Sequence, residues 1–163
     1  MPARSEFSDQ VATMTLRPRI LLVEDDFEMR RLLAEVLRKE GYDVTEAVNG
    51  VEGVDRVLQS WRCGGPLEPF DLLISDLRMP GWTGLEILEI VAASGLATPV
   101  ILITAFGTAE THVEARRLGV IAVFDKPFEL SSLVVAVREA VRGNALEHLR
   151  RAKLSRKGRS HGG

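Results

Sequence analysis

The sequence predicts a doubly wound α/β domain, with five βα units in succession about one parallel sheet. Three observations predict it. Four short runs of branched aliphatic residues are too short for helices and do not alternate with polar residues, as is usual for strands buried on both faces. Segments with a 3.6-residue apolar period lie between them. The regular βα order, joined by right-handed crossovers, favours a single parallel sheet with helices on both faces. A closed barrel of eight such units would need ~250 residues, and this chain has 163.

The elements follow in order. Ile20-Leu21-Leu22-Val23 is the first run. Met29, Leu32, Leu33, Val36 and Leu37 then keep the helical period until Gly41. Tyr42 to Ala47 alternates, as an edge strand would. Asn49 is a plausible N-cap for a helix through about Gln59. Ser60 to Phe70, with Gly64, Gly65, Pro66 and Pro69, reads as a surface loop. Leu72-Leu73-Ile74 is the next run, and Thr83 to about Ser94 the third helix, stopped by Gly95. Val100-Ile101-Leu102-Ile103 precedes a fourth helix from Thr108 to Leu118, stopped by Gly119. Ile121-Ala122-Val123-Phe124 is the last run, read like the other three as doubly buried. Leu130, Leu133, Val134, Val137 and Val141 form the stripe of a fifth helix.

Composition sets the bounds. Apolar residues make up 45% of the chain, enough for a core. The net charge of −2 hides an asymmetry. Up to Val141 there are 14 Lys and Arg against 22 Asp and Glu, a net of −8; from Arg142 to Gly163 there are 7 against 1, a net of +6. The single Cys63 excludes an intramolecular disulfide and a cysteine metal cluster. No segment has signal-peptide character, and no run approaches membrane-spanning length. A cytoplasmic location is expected.

In open α/β sheets, ligands bind outside the carboxyl ends of the strands. Glu24, Asp25 and Asp26 follow the first run, Ser75 and Asp76 the second, Thr104 and Ala105 the third, and Asp125, Lys126 and Pro127 the last. Clustered carboxylates repel one another, and a hard divalent cation relieves that; magnesium takes one or two carboxylates with water and phosphate oxygens. A carboxylate beside the metal can attack phosphorus and become an acyl phosphate. Lys126 supplies a cation and Thr104 a hydroxyl donor for the charge on the transferred group. Each residue has a plainer reading by itself. Asp76 could begin a turn before Met79-Pro80-Gly81; Lys126 could be a surface lysine, Thr104 a strand-end cap, and the acidic triplet a helix cap. Their joint fall on one sheet edge, each with chemistry the others need, favours the site.

The segments ILLVEDD, DLLISDLRMPGWTGLEIL, PVILITAFG and VFDKPF, in that order, resemble the receiver domains of bacterial two-component response regulators. The resemblance covers about Arg19 to Arg142. It implies a flavodoxin-like (βα)5 fold with strand order 2-1-3-4-5. It implies that Asp76 is the phosphoacceptor and that Thr104 is the switch hydroxyl. It implies that Lys126 pairs with the phosphoryl group and is followed by a cis bond to Pro127. It further implies Mg²⁺ (or Mn²⁺) held by Glu24, Asp25, Asp76 and the backbone carbonyl of Arg78. Asp25 is then the more direct ligand, while Asp26 faces the start of the helix. The partners implied are a histidine kinase or phosphotransfer protein as donor and a downstream protein target. A homodimer through the face of helix 4 and helix 5 is a family-level expectation. Such a receiver is a phosphorylation-controlled signalling module rather than an enzyme, though it assists its own phosphoryl transfer and dephosphorylation.

One position departs from the family pattern. Receivers usually carry an aromatic residue three before the lysine, and here that residue is Val123. Phe124 beside it is expected to be core, so readout would rest on Thr104 and the loop after it. Arg78 and Phe106, each two residues beyond a site residue, would line the approach of water; their size predicts slower autodephosphorylation than two small residues.

The expected organisation is a flexible extension over 1–18, a receiver domain over 19–142 and a basic tail over 143–163. Leu146 and Leu149 would extend the last helix by a turn or two, and Ser155 to Gly163 reads as a disordered end rather than an interdomain helix. A stand-alone receiver is favoured over a fragment of a larger DNA-binding regulator. The tail reads as a solvated extension, with weak nucleic-acid contact as the competing reading. A receiver-like interaction module acting without phosphorylation is disfavoured, because every site position holds a competent residue. A flavin-binding or other enzyme on this topology is disfavoured too, because acidic residues follow the first strand where a glycine-rich phosphate loop would be needed.

Overall fold

The structure is a computed structural model that describes residues 17–62, 70–79, 81–93 and 97–158. In chain order the elements are β1 (Arg19–Val23), α1 (Phe27–Lys39), β2 (Asp43–Ala47), α2 (Gly50–Arg62), β3 (Leu72–Asp76), α3 (Gly84–Ala93), β4 (Val100–Thr104), α4 (Ala109–Arg117), β5 (Ala122–Asp125) and α5 (Leu130–Gly158). All pairings are parallel, in the order β2-β1-β3-β4-β5. This is the flavodoxin-like topology of the sequence reading.

The two-residue period of the strands divides the core into two layers. Leu21, Val23, Leu73, Val100 and Leu102 face Val54 and Val57 of α2, Ile87, Leu88 and Val91 of α3, and Ala115 of α4. Ile20, Leu22, Leu72, Ile74, Ile101 and Ile103 face Leu33, Ala34 and Leu37 of α1 and Leu133, Val137 and Ala140 of α5. Each large aliphatic side chain so buried stabilises the fold by roughly 1.5–3 kcal/mol before entropy is counted.

Capping chemistry sets the helix starts. Asp26 Oδ1 accepts from the Met29 amide at 2.7 Å, and Asn49 Oδ1 from the Glu52 amide at 2.9 Å. Thr83 and Glu86 form a reciprocal capping box, at 3.2 and 2.6 Å. Thr108 Oγ1 accepts from the Thr111 amide at 3.2 Å. Gly41 and Gly119 take the left-handed conformation beyond α1 and α4, with φ of 96° and 88°.

Three expectations need correction. The run Ile121 to Phe124 is not doubly buried: β5 is an edge strand, its apolar residues are only half-buried, and Ile121 lies outside it, exposed. A short apolar run does not reveal whether its strand has neighbours on both sides. Helix α2 continues to Arg62 rather than stopping near Gln59. Helix α5 runs unbroken to Gly158, far past one or two extra turns, and includes Ser155 to Gly158. Residues 142–158 contain no proline and are rich in Ala, Leu, Arg and Lys, all good helix formers; Glu147 and Arg151 pair across one turn at 3.3 Å. The first 16 residues, most of the expected loop (63–69, with Cys63), the expected stop at Gly95 and residues 159–163 lie outside the described residues.

Candidate functional site

The sheet brings the predicted residues to one edge. Asp76 is the last residue of β3 and Thr104 the last of β4. The ladder continues past both: the Leu77 amide donates to the Ile103 carbonyl at 2.9 Å, and the Lys126 amide to the Thr104 carbonyl at 2.7 Å. The backbone positions flanking Asp76, Thr104 and Lys126 are thus tied together beyond the strands.

Lys126 joins the two sides of the site. Its Nζ lies 2.8 Å from Asp76 Oδ2 and 3.0 Å from Glu24 Oε2. Glu24 is 1% exposed, and its Oε1 accepts from the Asp26 amide at 3.1 Å. Asp76 Oδ1 accepts from the Arg78 amide at 2.9 Å. Burial, reinforced by the charge of Asp76, raises the Glu24 carboxyl to about 7, against the lowering pull of Lys126 and the Asp26 amide. Burial works to lower the Lys126 ammonium, but the hydrogen bonds and charges of Asp76 and Glu24 outweigh it and raise it.

Glu24, Asp25 and Asp76 each offer a carboxylate oxygen, all within 4.8 Å of one another. Glu24 and Asp76 are buried, while Asp25 is exposed at the mouth. Three oxygen anions facing one lysine leave an excess of negative charge, and hard oxygen donors are what Mg²⁺ takes. This set could hold a metal ion. Asp26 stands apart from it as the cap of α1, as expected.

Thr104 is fully buried, and its Oγ1 accepts from the Phe106 amide at 3.0 Å. Exposed Ala105 leaves space beside it. The Lys126–Pro127 bond is cis. Val123 packs into the layer of α2, α3 and α4, on the face shared by Leu102. Phe124 packs into the opposite layer, its ring 5.6 Å from that of Phe128. Expected to be core, it is half-buried against that layer, on the other side of the sheet from Thr104 by strand alternation.

Two supports escaped the sequence reading. Arg30 is buried; one guanidinium nitrogen donates to the Glu24 carbonyl at 2.9 Å, and Nε lies 3.4 Å from Glu46. Its signal was its place among the buried positions Leu33, Ala34 and Leu37 of α1. Gly84 starts α3 so close to β3 that an added Cβ would lie 2.6 Å from the Asp76 carbonyl oxygen. No local pattern marks such an approach.

The comparisons agree with this fold. A family model described as the response regulator receiver domain matches residues 20–138. The chain is 34% identical over 124 residues to sporulation initiation phosphotransferase F of Bacillus subtilis, covering 76% of this chain and 94% of that one. It is 36% identical to the transcriptional regulatory protein PdtaR of Mycobacterium tuberculosis, across 76% of this chain but only 56% of that one; the chain spans about half the length of such regulators. Among solved structures, a CheY-like response regulator receiver domain protein from Methanospirillum hungatei superposes with a TM-score of 0.72 at 26% identity, covering 80% of this chain and 98% of that one.

Proposed function

The chain belongs to the response regulator receiver domain family, and from that premise we propose that Asp76 takes a phosphoryl group from a phosphohistidine of a histidine kinase or phosphotransfer protein. The fold is that of a signalling module homologous to phosphorylatable response regulators. The observation that carries the assignment is the Lys126 ammonium bridging Asp76 and Glu24 beside the acidic cluster. An Asp76 carboxylate oxygen attacks phosphorus and a P–O bond forms. The P–N bond to the donor imidazole breaks, its electron pair staying on nitrogen. Lys126 faces the developing charge, and the Thr104 hydroxyl donates to a phosphoryl oxygen. Glu24, Asp25, Asp76 and the Arg78 carbonyl would hold Mg²⁺ (or Mn²⁺), which supplies charge neutralisation for the phosphoryl oxygens.

Return to the resting state is hydrolysis of the acyl phosphate by water, and the domain assists it by the same groups. Arg78 and Phe106 restrict the approach of that water. The output is contact with a downstream protein, with a homodimer through α4, β5 and α5 as the family-level arrangement. A cytoplasmic location goes with the proposed histidine-kinase donor; among the described residues, no helix is long and apolar enough to cross a membrane. The receiver unit is assigned to residues 19–142. The half-length match to a transcriptional regulatory protein favours a second reading, in which this receiver serves a longer regulator.

Incubation with acetyl phosphate and Mg²⁺, followed by intact-mass measurement, tests the assignment. A gain of one phosphoryl group that vanishes in Asp76→Asn is expected. An unchanged mass, also with a cognate kinase, would leave the phosphorylation-independent interaction module as the better reading.

A further inference from the structure

Helix α5 has two unlike halves. The inner half packs on the sheet through Leu133, Val137 and Ala140. The outer half runs on to Gly158 with Leu146, Leu149 and Leu154 exposed at 56%, 59% and 71%. At about 1.5 Å per residue, the segment beyond Gly143 reaches roughly 22 Å further.

Beside the inner half lies an open groove of about 470 Å³, at the amino ends of β4 and β5 and so at the opposite end of the sheet from Asp76. The small residues that α5 brings to it are Ala136, Ala140 and Gly143; Ile121 lines it from just before β5, and Glu139 and Glu147 bring charge to it. Ala136, Ala140, Gly143 and Glu147 follow the i, i+4, i+7, i+11 spacing of one helical stripe. Leu154 lies 18 residues beyond Ala136, which is five turns, so it stands on that same stripe with Arg150 and Arg151 flanking it. One face of one helix therefore carries small residues and glutamates from Ala136 to Glu147, and beyond them a large apolar residue flanked by arginines.

A continuous helix cannot fold Leu154 back to its own groove, about 27 Å away along the axis. The charges point the same way, since residues 142–163 carry +6 against −8 for the rest. We propose that the groove is filled by α5 of a second copy, packed antiparallel and crossing near Ala145. The partner's Leu154 then comes opposite Ala136, and the partner's Arg150 and Arg151 come opposite Ala140 and Glu139. The arrangement is isologous, so each copy fills the other's groove. It differs from a dimer through α4, β5 and α5 in that α4 takes no part and the outer half of α5 supplies the filling residue.

Sedimentation velocity of the full chain over a concentration series tests this, with Leu154→Glu and Gly143→Trp as variants. An added Cβ at Gly143 meets nothing within 4 Å, so a side chain there starts into open space on the groove side, and an unchanged urea midpoint of the variant checks that its fold is kept. A reversible dimer is expected, with its dissociation constant raised about tenfold or more by either substitution. In a Cys63→Ser background, a mixture of Ala136→Cys and Leu154→Cys chains should form a disulfide-linked heterodimer under oxidising conditions, and neither alone should cross-link. A chain that stays monomeric at ~100 μM, a dimer untouched by both variants, or self-cross-linking of each cysteine variant would each overturn the proposal.

Discussion

The guanidinium of Arg78 lies over the ring of Phe106, 4.8 Å from its centroid. Arg78 follows Asp76 by two residues and Phe106 follows Thr104 by two, so the stack joins the segments that follow β3 and β4. A partly exposed cation–π contact contributes about 0.5–1 kcal/mol, enough to bias the two side chains toward each other. Arg78→Ala with Phe106→Ala should accelerate loss of the phosphoryl group about three- to tenfold, equivalent to roughly 0.7–1.4 kcal/mol of barrier. The decay of the phosphorylated mass with time measures it, and an unchanged rate would show that the stack does not restrict water.

Metal binding should appear as stability. A ligand that binds only the folded chain stabilises it by about 1.4 kcal/mol at ten times its Kd. Mg²⁺ should raise the melting temperature of the wild type, and EDTA should reverse the rise. Asp25 is the exposed member of the acidic cluster, so Asp25→Asn should abolish most of the Mg²⁺ effect while changing the metal-free melting temperature little. Equal Mg²⁺ responses in both proteins would remove Asp25 from the ligand set.

Glu24 makes metal-free stability depend on pH. Its carboxyl is raised from 4.5 to about 7, chiefly by burial. The folded chain therefore holds this proton more tightly than the unfolded chain, and stability falls as pH rises through that window. Glu24→Gln in EDTA should flatten the fall. At pH 8 it should be the more stable protein, by on the order of 2 kcal/mol, with the gain fading toward pH 4.5. Urea denaturation across the pH range gives both curves; parallel curves would contradict the effect of burial.

Gly84 has no room for a methyl group. A Cβ there would lie 2.6 Å from the Asp76 carbonyl oxygen and 3.1 Å from a Leu102 methyl. Backbone does not yield as a flexible side chain does, so Gly84→Ala should cost about 1–3 kcal/mol. It should also slow phosphoryl uptake from acetyl phosphate, because the displaced backbone carries Asp76. A variant with wild-type urea midpoint and uptake rate would show that α3 can shift without loss.

Much of the molecule was legible because its signals are local. Val100 to Ile103 reads as a buried strand from its side chains alone, and Asp26, Asn49, Thr83 and Thr108 sit where caps must. Asp76, Thr104 and Lys126 were legible as a group because each follows an apolar run. What escaped depends on neighbours distant in sequence. Phe124 and Ile121 look as apolar as Ile101 and Ile103, yet among the described residues β5 has no strand on its outer side. The Glu24–Lys126 contact spans 102 residues, and the burial that raises the Glu24 carboxyl belongs to the folded sheet. The length of α5 was underread for a different reason. The basic residues after Val141 suggest solvent, and Arg142, Arg150, Arg151 and Lys153 do face it, but charge on a helix surface does not oppose the helix.

The ladder bonds from Leu77 to Ile103 and from Lys126 to Thr104 have a kinematic consequence. They give the anchors of Asp76, Thr104 and Lys126 a common rigid frame, since core strands are among the last parts of a fold to open. Strands so fixed do not slide past one another when a charge arrives at the edge. Motion is left to parts that turn about that frame: the Thr104 hydroxyl, the Lys126 amine and the backbone from Ala105 to Thr108. Side-chain rotations complete in picoseconds to nanoseconds and loop shifts in nanoseconds to microseconds. Under the proposed phosphorylation of Asp76, the response would be geared as a fast local rotation driving a slower loop, with the sheet as the stationary bearing.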